Sequence, residues 1–75
     1  MFYSTHLLRH LRLTIGQNIH RHRAKQQLPL SKLAESIGIS EEKLDRYELG
    51  RHEIELHELL KIACVLEVKM ATLLE

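Results

Sequence analysis

Between Leu33 and Tyr47 the chain reads Leu33-Ala34-Glu35-Ser36-Ile37-Gly38-Ile39-Ser40, followed by Leu44 and Tyr47, and no other stretch restricts the fold so tightly. Two short helices that cross steeply need a small side chain where their backbones approach, and Ala34 supplies it. The sharp turn between them needs a residue that tolerates positive φ, which Gly38 provides. Ile39 can tuck beneath that turn, and Ser40 can accept from the free N–H groups that open the next helix. Leu33, Ile37, Ile39, Leu44 and Tyr47 all fall where such a unit faces its core. Each residue alone is commonplace. The combined spacing specifies two rods joined by a tight bend, the second projecting outward from about residue 41 to 49.

The rest of the chain is read around that bend. Seventy-five residues make one domain at most, close to the lower limit for a self-sufficient core. Hydrophobic residues make up 44% and aromatic ones only 4%, so the core has to be built from Leu, Ile, Val and Ala. An aliphatic core of that size suits a helix bundle and leaves little interior for an enclosed catalytic pocket. Helical periodicity is strongest late in the chain, where Leu56, Leu59, Leu60, Ala63, Val65 and Leu66 predict a helix from about 55 to 66. Leu30, Leu33, Ala34 and Ile37 mark a shorter one, and Leu44 with Tyr47 another. Ile15, Ile19 and Ala24 predict a helix from about 15 to 27, and Ala71, Leu73 and Leu74 a short closing turn. The expectation is an all-α bundle of five helices with connections of a few residues each.

Residues 1–14 read as a separate N-terminal arm before a domain over 15–75. Tyr3, Leu7 and Leu11 fall at helical spacing, while Leu11, Leu13 and Ile15 alternate like a strand. Either way the arm is apolar enough to need a partner surface, on its own domain or on a second copy. The net charge is only +1, but its distribution is uneven. Arg9, Arg12, Arg21, Arg23 and Lys25 lie in a front half that holds no acid, and every Asp and Glu falls from Glu35 onward. A basic front half can supply an electrostatic footprint for phosphate, although a solvated helix face is the plainer reading of charge alone.

From Ile15 to Leu74 the chain resembles the Cro and phage-repressor (Xre-type) helix-turn-helix family. The resemblance rests on Ile15-Gly16, Ile19, Arg23, Leu33-Ala34-Glu35, Ile37-Gly38-Ile39-Ser40, Tyr47-Glu48-Leu49-Gly50 and Leu59-Leu60-Lys61-Ile62-Ala63. Leu66, Val68 and Leu73-Leu74 complete it, in register without a gap. It implies a five-helix, lambda-repressor-like domain that binds operator DNA as a homodimer and regulates transcription. By position, Ser40, Glu41, Glu42, Lys43, Asp45 and Arg46 would occupy the exposed face of the recognition helix, whose N-terminal residues reach base edges. Gly50 and Arg51 would approach the phosphate backbone. The expected DNA-binding set is therefore Ser40, Glu41, Glu42, Lys43, Arg46 and Arg51. Arg23 and Glu48 match a structural salt bridge between the first and third helices, and an Arg fork can hold a semi-buried carboxylate bidentately.

Several residues depart from that pattern. Pro29 and Leu30 stand where a Ser cap and a phosphate-touching Gln are usual, and Leu cannot donate to phosphate. Glu41 and Glu42 replace uncharged or basic residues. Acids in a first turn stabilise the helix dipole by roughly 0.3–1 kcal/mol, and a Glu can also accept from the amino group of cytosine. Leu49 replaces a polar residue, Gln27 and Glu67 sit where Gly often ends a helix, and Lys69 is a poor N-cap. His22 falls at an inward position and is expected to be partly buried and hydrogen-bonded. These departures keep a second reading open: a helix-turn-helix-fold interaction module, antitoxin-like or an accessory regulator, with a protein partner and little specific DNA reading.

Six histidines raise the question of a metal. His6 and His10 are one helical turn apart and His52 and His57 five residues apart, but no Cys pair or carboxylate completes a tetrahedral set in sequence, so none is assigned. The lone Cys64 has no thiolate-stabilising neighbours, rules out an internal disulfide and points to a reducing compartment. No phosphate loop, nucleophile motif or paired acid–base set is present, so neither enzymatic activity nor a cofactor is expected. Without a leader or an apolar run near the ~20 residues of a membrane span, the expectation is a cytoplasmic protein with no membrane partner.

Overall fold

The computed structural model describes residues 5–75, all of whose regular elements are helical. They are α1 (Thr5–Lys25), α2 (Leu30–Ile37), α3 (Glu41–Glu48), α4 (Leu56–Leu66) and α5 (Met70–Leu74). The alternation at Leu11, Leu13 and Ile15 does not make a strand. Residues 5–25 are one continuous helix with no boundary at residue 15, so the described part of the arm is the front half of α1. Residues 1–4 of the arm, with Tyr3, lie outside the described residues.

The helix ends follow from local chemistry. Ile37 ends α2 because Gly38 takes φ 76°, ψ 32°, and the amides of Gly38 and Ile39 turn back to the carbonyls of Glu35 and Ala34. Two residues later the Ser40 hydroxyl accepts from the Lys43 amide at 3.1 Å and starts α3. Pro29 precedes α2 without a side-chain cap, as Lys69 precedes α5. Gln27 and Glu67 both take positive φ, 56° and 57°. After each, the next amide returns to a carbonyl five residues back, Leu28 to Arg23 and Val68 to Ala63. Glycine's place in this motif is thus held by side chains that pay for the left-handed conformation.

α1 packs on α3 and α5, while α2 packs on α3 and α4. The core they enclose is aliphatic apart from Tyr47: Ile15, Ile19, Leu33, Ala34, Ile37, Leu44, Leu59, Ile62, Ala63, Leu66 and Leu73 surround it. α1 and α3 meet at Gly16, where any Cβ would run into the carbonyl oxygens of Tyr47 and Glu48. Asn18 on α1 and Gln26 just beyond it donate to the carbonyls of Leu73 in α5 and Leu66 at the end of α4, at 2.9 and 2.7 Å.

Part of the expected α4 stripe faces outward. Leu56 and Leu60 are 65% and 47% exposed, while Ile62 and the carboxylate-bearing Glu58 turn inward. The buried face follows the helical period through Leu59, Ile62, Ala63 and Leu66, and Glu58, one turn before Ile62, is held on that side by the Tyr47 hydroxyl and the Lys43 ammonium. Ala24, Leu74 and Cys64 are likewise on the surface. His22 is half-buried as its position suggested, but its Nε2 has no hydrogen-bond partner among the described residues. No helix of the described residues is long and apolar enough to cross a membrane.

Candidate nucleic-acid interface

The bend at Gly38 and the cap at Ser40 hold α3 with one face in the core and the other in water. Leu44 and Tyr47 are fully buried, whereas Ser40, Glu41, Glu42, Asp45, Arg46 and Leu49 are exposed. Arg51, just beyond the helix, is exposed as well, and its amide closes the turn onto the Arg46 carbonyl at 2.9 Å. The outward face of α3 therefore presents three carboxylates (Glu41, Glu42 and Asp45) beside the guanidinium of Arg46. Glu41 and Glu42 sit in the first turn, where the helix dipole favours negative charge. Leu30, at the start of α2, is half-buried against the core.

Lys43 is not on that outward face. Its Nζ lies 3.2 Å from Glu58 Oε2 and 3.5 Å from Glu55 Oε2, both at the start of α4, and 5.7 Å from the centre of the Tyr47 ring. The Tyr47 hydroxyl donates to the other Glu58 oxygen. Burial pushes the Glu58 carboxyl up, but the Tyr47 hydroxyl and the Lys43 ammonium outweigh it, and the net displacement is downward. Lys43 is raised, chiefly by its hydrogen bond to Glu58, and the Tyr47 phenol is raised by burial and by the same carboxylate.

Arg23 grips Glu48 with two parallel bonds, Nε to Oε2 at 2.6 Å and Nη2 to Oε1 at 2.9 Å. Its Nη1 donates to the Leu28 carbonyl at 2.9 Å, which fixes the turn after α1. His20 Nδ1 stands 3.1 Å from Glu48 Oε1. Beside this pair, a shallow groove of about 320 Å³ runs between α1 and α3, lined by Gln17, His20, Arg23, Asp45, Glu48 and Leu49. Its two strongest charges already satisfy each other.

Sequence reasoning passed over Glu58, Glu55, Asn18 and His20. Glu58 carried a signal in hindsight, being a lone acid inside an apolar helical run, but its partners are 11 and 15 residues away. Glu55, His57 and Glu58 bring a ligand atom each within 4.8 Å of one another. The Lys43 ammonium already sits between the two carboxylates of that cluster, 3.5 and 3.2 Å away, so a metal would have to compete with a covalently tethered cation. His52 meets the Tyr47 ring edge-on at 5.5 Å between centroids, and His6 and His10 are exposed on α1.

Comparison with known proteins bears on what such a face does. The model of the helix-turn-helix family matches residues 19–73. No curated protein matches the sequence significantly. Among solved structures, the chain is similar to the clp gene regulator ClgR from Corynebacterium glutamicum, with a TM-score of 0.83 and 30% identity over 85% of this chain and 68% of that one. SinR, the master regulator for biofilm formation, solved in complex with DNA, is 34% identical over 81% of this chain and 98% of that one, with a TM-score of 0.75. The restriction-modification controller protein C.AhdI from Aeromonas hydrophila shares the fold, at a TM-score of 0.78 and 24% identity over 83% of this chain and 94% of that one.

Proposed function

Because the chain belongs to the Cro and phage-repressor (Xre-type) helix-turn-helix family of DNA-binding regulators, we propose that it regulates transcription by reading duplex DNA as a homodimer, with α3 in the major groove. The observation that carries this reading is the two-faced α3. Leu44 and Tyr47 anchor it at full burial, while Ser40, Glu41, Glu42 and Arg46 project from its first turns into water, which is the side a recognition helix offers to base edges. The similarity to SinR, whose structure was solved with DNA, supports the same assignment.

The residues take separate roles. Arg46 is placed to donate to a base edge or a phosphate, and Arg51 to a phosphate beside the helix end. Ser40 shapes the helix start. Glu41 and Glu42 repel phosphate and favour a site where a cytosine amino group faces the first turn. With so few cations on each chain, binding is modest, salt-sensitive and dependent on two copies acting together. A titration of a labelled duplex library at falling salt tests the proposal. The expected result is binding that weakens with salt and falls in Arg46→Ala and Arg51→Ala without a change in oligomeric state. No binding above background for any duplex at low salt would remove it.

One observation favours a second reading, an interaction module with little DNA reading: three carboxylates face outward on α3 where phosphates would approach. Under that reading Arg46→Ala and Arg51→Ala leave DNA retention unchanged.

A further inference from the structure

α3 carries two basic side chains, and they point to different places. Arg46 is exposed, whereas Lys43 is folded back onto the first turn of α4. Lys43 and Tyr47 are one helical turn apart on α3, and Glu55 and Glu58 lie at the N-cap and third position of α4. The ammonium takes one oxygen of Glu58 and the phenol takes the other. A single carboxylate, only 6% exposed, thus holds two points of α3 at once. Two contacts one helical turn apart restrain the tilt of α3 against α4 more than either would alone.

We propose that Lys43 is a positioning residue: together with Tyr47 it clamps α3 onto Glu58 and sets the angle at which the recognition helix leaves the core, and it makes no phosphate contact. This rests on the DNA-binding reading above. To reach a phosphate, Lys43 would have to leave a carboxylate only 6% exposed with the Tyr47 hydroxyl and the His57 ring, 3.9 Å away, as its remaining neighbours, and stripping one partner from a buried charged pair is unfavourable. Nor is the local field one that draws phosphate. Glu55 and Glu58 place two negative charges around the one ammonium, and His57 stands beyond them, 4.0 and 3.9 Å from those carboxylates.

The test measures affinity for a labelled mixed-sequence duplex across a salt series, together with melting temperature, for the full chain and its variants. In Lys43→Gln the salt slope is expected to stay at the wild-type value, while affinity falls roughly threefold to tenfold at every salt concentration and the melting temperature drops. Lys43→Arg restores both. Removing a true phosphate contact instead lowers the slope by about one unit and leaves the melt alone, and that result in Lys43→Gln would overturn the proposal. Glu58→Gln gives a readout of opposite sign for the two cases. A clamp predicts weaker DNA binding when the carboxylate is neutralised; a phosphate-seeking lysine held back by Glu58 predicts tighter binding, which would also overturn it. Should the wild-type chain bind no duplex, the DNA-binding reading fails separately. The clamp is then judged on melting alone: additive effects of Lys43→Gln and Glu58→Gln refute it, and non-additive effects uphold it.

Discussion

Three groups share a proton-dependent contact at the edge of an aliphatic core. Glu58 is charged against the cost of burial because the Tyr47 hydroxyl and Lys43 ammonium stabilise its anion, so its folded value lies below its ordinary one. A group depressed in this way adds stability that is fully present above the unfolded carboxylate value and is lost as pH falls through the folded one. Tyr47 and Lys43 are displaced upward, so their contribution is complete below their unfolded values and disappears as pH rises through the folded ones. The melting temperature should therefore have an acid limb from Glu58 and an alkaline limb beyond the ordinary phenol range. Melts across pH check this, with Glu58→Gln as the control. The acid limb should be shallower in that variant, and equal limbs would contradict the assignment. Arg23 and Glu48, at 14% and 6% side-chain exposure, form a second buried pair on the opposite flank of α3. Their contact was legible from sequence because the family resemblance places them as partners, whereas Glu58 had no such marker.

Among the elements, the helix ends show where local sequence and structure agree and where they conflict. Gly38 and Ser40 do what their chemistry suggests, and the α2–α3 bend forms as read. Glu67 does not suit its place: it ends α4 in the left-handed region, at φ 57°, where a Cβ costs about 1–2 kcal/mol. The side chain is exposed, and no hydrogen bond or ion pair among the described residues depends on it. Glu67→Gly should accordingly stabilise the domain by about 0.5–1 kcal/mol once the greater flexibility of unfolded glycine is subtracted. In a chain of this size that raises the melting temperature by about 2–8 °C; a lower one would show that the strain is relieved elsewhere. α4 itself illustrates the limit of periodicity. Its existence and ends were legible, but Leu56 and Leu60 read as core and lie outside, because the buried stripe of Leu59, Ile62, Ala63 and Leu66 is narrower than the run of apolar residues.

At the scale of the whole molecule, α1 sets the shape. Its 21 residues extend about 32 Å, against overall extents of 38 × 23 × 19 Å. Leu7, Leu11, Ile15 and Ile19 are spaced four apart, and the first two continue the buried stripe outward. Leu7, Leu8 and Leu11 are left 55%, 38% and 39% exposed, on a half-helix that carries Arg9 and Arg12 and no acid. In the homodimer proposed above, this stripe is the surface a second copy would cover. The melting temperature should then rise with protein concentration, and Leu8→Glu with Leu11→Glu should abolish that rise while keeping helical content. A concentration dependence that survives both substitutions would place the dimer contact elsewhere.

By itself the sequence determined the five helices, the bend between α2 and α3, and the split of α3 into a buried and an exposed face. All three depend on side-chain periodicity and on residues adjacent in the chain, whose preferences act locally. The tertiary structure alone decided that Lys43 turns onto the first turn of α4 and that Glu58 is buried against α3. Those outcomes depend on which helices become neighbours, and the contacts that settle them join residues too far apart in sequence for spacing to reveal them.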